Sequence, residues 1–262
     1  MELIARLGIF VGVLGLMVAW EFYAPKRQSR YSRTQRWPAN LGIVAIDTIL
    51  ARLLVPAGVV GVAMYAGEQG WGLFNLLNWP AWLSVIISVV VLDIAIYWQH
   101  RAFHYYPMLW RLHRMHHSDP DFDVTTGLRF HPLEILLSLA IKGLAVLILG
   151  APVMAVIIFE VVLNACSMFN HGNVELPNRV ERWVRKILIT QELHRIHHST
   201  LKHETNSNYG FSVSWWDHLF LSYTDKPQAG SDNVDIGLDN LRDESLTTKL
   251  PGLLKTPFNN PL

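Results

Sequence analysis

Residues 79–117 read WPAWLSVIISVVVLDIAIYWQHRAFHYYPMLWRLHRMHH. From Trp79 to Trp98 the run is apolar and close to the roughly 20 residues that a bilayer-crossing helix needs. It passes directly into His100 and His104, four apart, and then into His113, His116 and His117, three and four apart. A span that ends in imidazoles predicts a membrane bundle carrying a metal-binding cap on one face.

Three more apolar runs support that reading, from about Leu3 to Tyr23, from about Leu41 to Ala66 and from Leu133 to Phe169. Gly150-Ala151-Pro152 interrupts the last and predicts a helical hairpin. Its arms of about 17 residues are near the lower limit for crossing, so a full crossing and a shallower dip both stay open. The first run is expected to be a retained anchor, not a cleaved signal, because no small-x-small site follows it and basic residues do. Lys26, Arg27, Arg30, Arg33 and Arg36 share that connection, whereas the one from Gly67 to Asn78 has no Lys or Arg. The positive-inside rule then places the amino terminus outside and the histidines on the cytoplasmic side. Docking of an acidic redox partner or of anionic lipid is the other reading of the basic stretch.

The expected fold is all-α and integral to a membrane, with a bacterial inner membrane as the expected location. Residues 1–78 should hold amino-terminal spans and the basic connection, 79–223 the catalytic domain, and 224–262 a surface lobe or tail. Only 16% of the 262 residues are charged, against roughly 25% in soluble domains. Cys166 is the sole cysteine, which rules out a disulfide scaffold and leaves it as inert packing. A net charge of +1 gives no general attraction for nucleic acid.

His194, His197 and His198 repeat the spacing of His113, His116 and His117. On a helix such positions occupy one face within about 100°, so each triplet can aim its three imidazoles one way. With His100, His104 and His171 the set has nine members, too many for one ion and about right for two. His131 is open between a tenth ligand, a neighbour of the site and a helix-start residue. His203 and His218 read as ordinary hydrogen-bonding residues. Asp93, Asp119, Asp121 and Glu192 are candidates to accept from the ligands' other ring nitrogens.

Asp47, Asp93 and Glu160 lie inside apolar runs, where charge is costly and faces a bundle interior or a polar site. Asp93 and Tyr97 share a helix face leading to His100, and Glu160 and Asn164 share one leading towards His171. Both pairs read equally well as supports of catalysis and as helix–helix glue. Imidazole suits iron and zinc. No His-Glu-x-x-His motif is present, and a histidine-rich dimetal site beside a membrane suits dioxygen chemistry on an apolar substrate. A metal transporter or sensor, and a di-zinc lipid hydrolase, are the competing classes.

Beyond the three histidine boxes, the surrounding words also resemble a known family. Asp93 through Arg101, Leu109-Trp110-Arg111, Phe122 through Thr126, Arg129-Phe130-His131-Pro132, and Asn206 through Phe211 before Trp216-Asp217 are similar to the fatty acid hydroxylase superfamily in its sterol-desaturase-like branch. The resemblance covers about Trp79 to Tyr223. It implies a non-haem di-iron oxygenase that hydroxylates or desaturates fatty acyl chains, sterols or related lipids. It also implies dioxygen, electrons from a separate reductase, and iron for activity, with zinc in some purified members. The nine histidines would be the ligands, with His131 as a neighbour. Where some members carry a further histidine after the one at His171, this chain has Glu175. Asp93, His131, Glu160 and Asn164 are the candidate catalytic side chains, and Trp110, Phe130 and Phe169 the expected mouth of an apolar slot.

Overall fold

A computed structural model describes residues 2–77 and 79–259. Asn78, where a domain boundary was expected, and residues 260–262 of the tail lie outside them. The regular structure described is helical apart from isolated bridges. The first helices are α1 (Glu2–Tyr23), α2 (Arg33–Leu54), α3 (Gly58–Gln69), α4 (Leu73–Leu76), α5 (Ala81–Tyr105) and α6 (Pro107–His117). A 3₁₀ turn at Thr126–Leu128 precedes α7 (Pro132–Leu149), α8 (Val153–Asn170), α9 (Asn178–Val184) and α10 (Gln191–His197). Four short helices follow: α11 (Lys202–Thr205), α12 (Trp215–Leu219), α13 (Glu244–Thr247) and α14 (Leu250–Lys255).

Five segments are long and apolar enough to cross a bilayer: Ile4–Tyr23, Arg33–Leu76, Ala81–Tyr105, Pro132–Leu149 and Val153–Asn170. They form a membrane helical bundle. Its core joins α3, α5, α7 and α8 through Val59, Ala63, Leu92, Ile96, Val146, Val156 and Phe159. α1 packs on α8, with Met17 against Met168. Leu7, Leu16, Ile86, Val90 and Ile148 face outwards, which suits helices solvated by lipid.

The run expected over 41–66 is not one helix. It breaks at Val55-Pro56-Ala57 between α2 and α3, because proline lacks the N–H that would continue the ladder and pushes the preceding residue out of the helical region. α2 also starts earlier than its apolar run, at Arg33. Ser32 N–H donates to Gln35 Oε1 at 2.8 Å, and Arg36 and Asn40 in its first turns are fully buried by partners from residues 119–125.

The expected helix–turn–helix forms, but its two arms pack chiefly on α3 and α5, not on one another. Gly150 takes a left-handed conformation (φ 62°, ψ 43°), and Ala151 N–H reaches back to the Val146 carbonyl. A side chain there would also meet the Trp71 carbonyl at 2.6 Å, so glycine is needed twice over. Both arms have 18 residues, about 27 Å of rise against a hydrocarbon core of about 30 Å.

The carboxy-terminal segment is fastened under the cap. Leu253 packs with Ala39, Ile43 and Met115, and Arg114 and Arg129 donate to the Thr256 and Thr247 carbonyls at 2.6 and 2.8 Å.

Candidate metal centre

Three elements deliver the histidine boxes. α5 runs past the end of its apolar stretch, so His100 and His104 ride on the last turns of a spanning helix. Pro107 then starts α6, which carries His113 just before its last turn and His116 and His117 within it. Thr190 caps α10, its hydroxyl accepting from Leu193 N–H, and that helix presents His194 and His197, with His198 as its C-cap. His171 ends α8.

These nine residues assemble into two groups. His100, His104, His113, His117 and His197 form one, and His116, His171, His194 and His198 the other; within each, the ligand atoms lie within 4.8 Å of one another. The groups adjoin where the His117 ring stacks on His198, centroids 4.3 Å apart. The triplets do not each aim one way, as expected from their spacing. His113 and His117 face the first group while His116 faces the second, and α10 divides likewise. The cause is helical geometry: at about 100° per residue, i and i+4 differ by about 40°, while i+3 stands about 60° to the other side. One triplet can therefore serve two ions.

The rings are oriented for metal. His100 Nδ1 meets the Tyr209 carbonyl at 2.6 Å, His171 Nδ1 the Ser167 carbonyl at 2.8 Å, His197 Nδ1 the Ser207 carbonyl at 2.7 Å and His116 Nδ1 the Arg129 carbonyl at 3.2 Å. A carbonyl only accepts, so these nitrogens carry the proton and the Nε2 lone pairs turn inwards. Inside, His100 Nε2 lies 3.1 Å from both His113 Nε2 and His197 Nε2, and His171 Nε2 lies 3.1 Å from His116 Nε2 and 3.0 Å from His194 Nε2. Lone pairs that close repel unless a cation sits among them. With metal–nitrogen bonds of about 2.1 Å, adjacent ligands stand about 3.0 Å apart around an octahedron and about 3.4 Å around a tetrahedron. Both ring nitrogens of His104 and His198, and His117 Nε2, are buried with no partner. The donor set fits two metal ions.

Burial holds the cap imidazoles neutral, the form that binds metal. It depresses His113 and His171 to about 3. His116, His117, His194, His197 and His198 are lowered by burial first and by neighbouring imidazoles second.

The carboxylates expected to orient the ligands do other work. Asp119 accepts from two of the three Arg36 nitrogens, Nε at 2.9 Å and Nη2 at 2.8 Å, and Asp123 from the third, Nη1, at 2.7 Å. Burial alone would raise Asp119, but Arg36 and Arg129 hold it below the usual carboxylate range. Asp121 accepts from the backbone N–H groups of Arg30 and Tyr31, and Glu192 pairs with Arg195. Among the described residues, the carboxylate that reaches a ligand is Glu134, whose Oε1 lies 2.7 Å from His113 Nδ1. Its sequence signal was a glutamate opening the apolar hairpin, right after His131-Pro132. A second support is Asp217, which accepts from the N–H groups of Tyr209 and Gly210 at 2.8 and 2.9 Å and so fixes the carbonyl that holds His100.

Of the candidate catalytic residues, Asp93 accepts from Trp216 Nε1 at 2.7 Å and ties α5 to α12. His131 caps α7, its Nδ1 accepting from Leu133 N–H, and belongs to neither histidine group. Glu160 pairs with Arg6, and the Asn164 amide donates to the Glu160 carbonyl. Glu175 pairs with Lys26, His203 is exposed and His218 stacks on Tyr223. Trp110 lies against His104 and His117, and Phe130 stacks on His116 at 4.4 Å. Phe169 packs instead with the Met17–Met168 cluster towards α1. The basic connection pairs with the chain's own carboxylates: besides buried Arg36, Lys26 pairs with Glu175 and Asp232, and Arg30 with Asp235 at the surface.

A cavity of about 470 Å³ leads away from the first group. His100, His113, Phe130 and Glu134 line one end, Leu128, Ile135, Leu163 and Met168 its apolar walls, and Arg6, Lys142, Glu160 and Asn164 the rest. Leu7 and Ile9 of α1 and Thr48 and Arg52 of α2 also line it and are exposed, so the mouth opens sideways between those helices.

The fatty acid hydroxylase family model matches residues 85–222. The chain belongs to the fatty acid hydroxylase family. Among the relatives of this fatty acid hydroxylase family member is the ornithine lipid hydroxylase OlsE of Rhizobium tropici, 31% identical over 62% of this chain and 47% of its own length. Human alkylglycerol monooxygenase is 28% identical over 64% of this chain and 36% of its own. The Delta(7)-sterol-C5(6)-desaturase of Nicotiana tabacum is 29% identical over 79% of this chain and 76% of its own. The chain thus spans less than half the length of the first two. No solved structure matches.

Proposed function

We propose that this chain is a membrane-bound di-iron oxygenase that hydroxylates or desaturates a C–H bond of a lipid, with electrons from a separate reductase and the metal centre on the cytoplasmic side. The observation that carries this reading is the cavity: it opens towards lipid between α1 and α2 and ends on His100 and His113, members of the five-histidine group. The names of the relatives, which concern ornithine lipids, alkylglycerols and sterols, support a lipid substrate. The basic connection between α1 and α2 supports the orientation.

Two irons held by the nine histidines would supply reduction of dioxygen and removal of hydrogen from an unactivated carbon. The chain's own residues place and shield. Glu134 and the Tyr209 carbonyl fix the two rings that meet the cavity. Phe130 covers His116 and faces the cavity, and the apolar walls keep bulk water from the reacting carbon. Asp93 and His131 act through Trp216 and α7, as positioning residues. The test is oxygen uptake by iron-loaded protein with a ferredoxin-type reductant and lipid extract, read with lipid mass spectrometry. Gain of one oxygen atom or loss of two hydrogens in a lipid, matched to oxygen consumed, is expected. No uptake above the lipid-free rate would overturn the reading.

A further inference from the structure

We propose that the end of the cavity remote from the histidines, at Lys142, binds an anionic group of the substrate, a carboxylate or a phosphate. The proposal rests on reading the cavity as the lipid's place. Lys142 lies inside α7, within a segment long and apolar enough to cross the membrane. A charge there is costly and calls for a partner. No carboxylate forms an ion pair with it among the described residues: Glu160 is the nearby anion, and Arg6 engages it. Asp47 and Glu134 are the other carboxylates of the cavity, and Glu134 is held at the metal end by His113. Lys142 therefore lines the cavity with no carboxylate paired to it alone. Ser138, one turn earlier on α7, lines the same cavity with a hydroxyl, and Arg6 brings a guanidinium. An oxyanion placed there finds the Lys142 amine and a neutral hydroxyl, with the Arg6–Glu160 pair beside them, and charge-assisted donors of the lysine kind are what carboxylate and phosphate groups select.

The spacing sets what would be attacked. Lys142 follows Glu134 by two turns of α7 and a little more, about 12 Å of rise. An amphiphile anchored by its charged group at Lys142 thus offers the metal end a carbon within its chain, well away from that group.

The test measures binding to the metal-loaded full chain in uncharged maltoside micelles, with palmitate, hexadecyl phosphate and hexadecanol as probes. At least one anion is expected to bind about tenfold or more tightly than the alcohol, and which anion does so separates a fatty acid from a phospholipid source. Lys142→Met should erase that preference and leave hexadecanol unchanged. Lys142→Arg should retain it, and Glu160→Gln, which removes the carboxylate near Lys142, should strengthen it. Equal binding of all three probes by the parent protein, or an anion preference that survives Lys142→Met, would overturn the proposal. Metal content of the same samples is read separately: fewer than two ions per chain counts against the metalloenzyme reading, whatever the probes show.

Discussion

Replacing Glu134 should weaken one of the two ions and spare the other. Its Oε1 lies 2.7 Å from His113 Nδ1, and both side chains are almost fully buried. In Glu134→Leu the Nδ1–H loses its acceptor, which costs roughly 1–3 kcal/mol for an unsatisfied buried donor. Loss of an orienting partner of a metal-bound histidine typically lowers metal affinity about 10–100-fold, or about 1.4–2.7 kcal/mol. His113 belongs to the five-histidine group, and none of the four residues of the other group touches Glu134 in a hydrogen bond. Titration of the metal-loaded protein with a chelator, read by metal analysis, should therefore show two steps. The first ion should leave at about 10–100-fold lower chelator activity than in the parent protein, and the second should be unmoved. Glu134→Gln, whose amide oxygen can still accept, should fall between. A Glu134→Leu curve that superimposes on the parent curve would refute the reasoning.

Arg36→Met should strand Asp119 and Asp123, which it binds with three hydrogen bonds in a buried setting; a loss of about 3–5 kcal/mol is expected, read as a large drop in the thermal midpoint. Gly127→Ala should displace His171, because the new Cβ would meet Ser167 O at 2.6 Å and His171 Nδ1 at 2.9 Å. Metal analysis should show selective loss of the ion of the four-histidine group. Metal-free protein should lose stability as pH falls below 6.5. His113 and His171 are depressed by burial from 6.5 to about 3, so between those values the unfolded chain binds protons that the folded chain refuses. The slope is about 2.7 kcal/mol per pH unit for the two together, and a denaturant midpoint that stays flat from pH 6.5 to 4.5 would contradict it.

The fold was legible where period and length carry the information. Four apolar runs and the Gly150-Ala151-Pro152 break gave the membrane bundle, and nine histidines too many for one ion gave the division into two. Their assignment within a triplet was not legible as drawn, because nearness on one helix face hides the angle between i+3 and i+4. The break at Pro56 was present in the sequence but lay inside a run whose hydropathy looked continuous. Tertiary partners were the least accessible. Asp119 stands two residues from His117, yet it turns to Arg36, a residue of the basic connection. Glu134 and Lys142 are charges within the helix–turn–helix, and the cost of charge in a span marks them as clearly as Asp47, Asp93 and Glu160. Glu134 acquires its meaning only when α7 packs beside α6, and Lys142 only when α1 and α8 enclose the cavity.

The central claim is that two neighbouring ions are held by separate sets of imidazoles, five and four. Anomalous diffraction at the iron edge from anaerobically reconstituted protein tests it most directly. Two peaks are expected, one enclosed by His100, His104, His113, His117 and His197 and the other by His116, His171, His194 and His198. A single peak, or peaks away from these rings, would contradict the account.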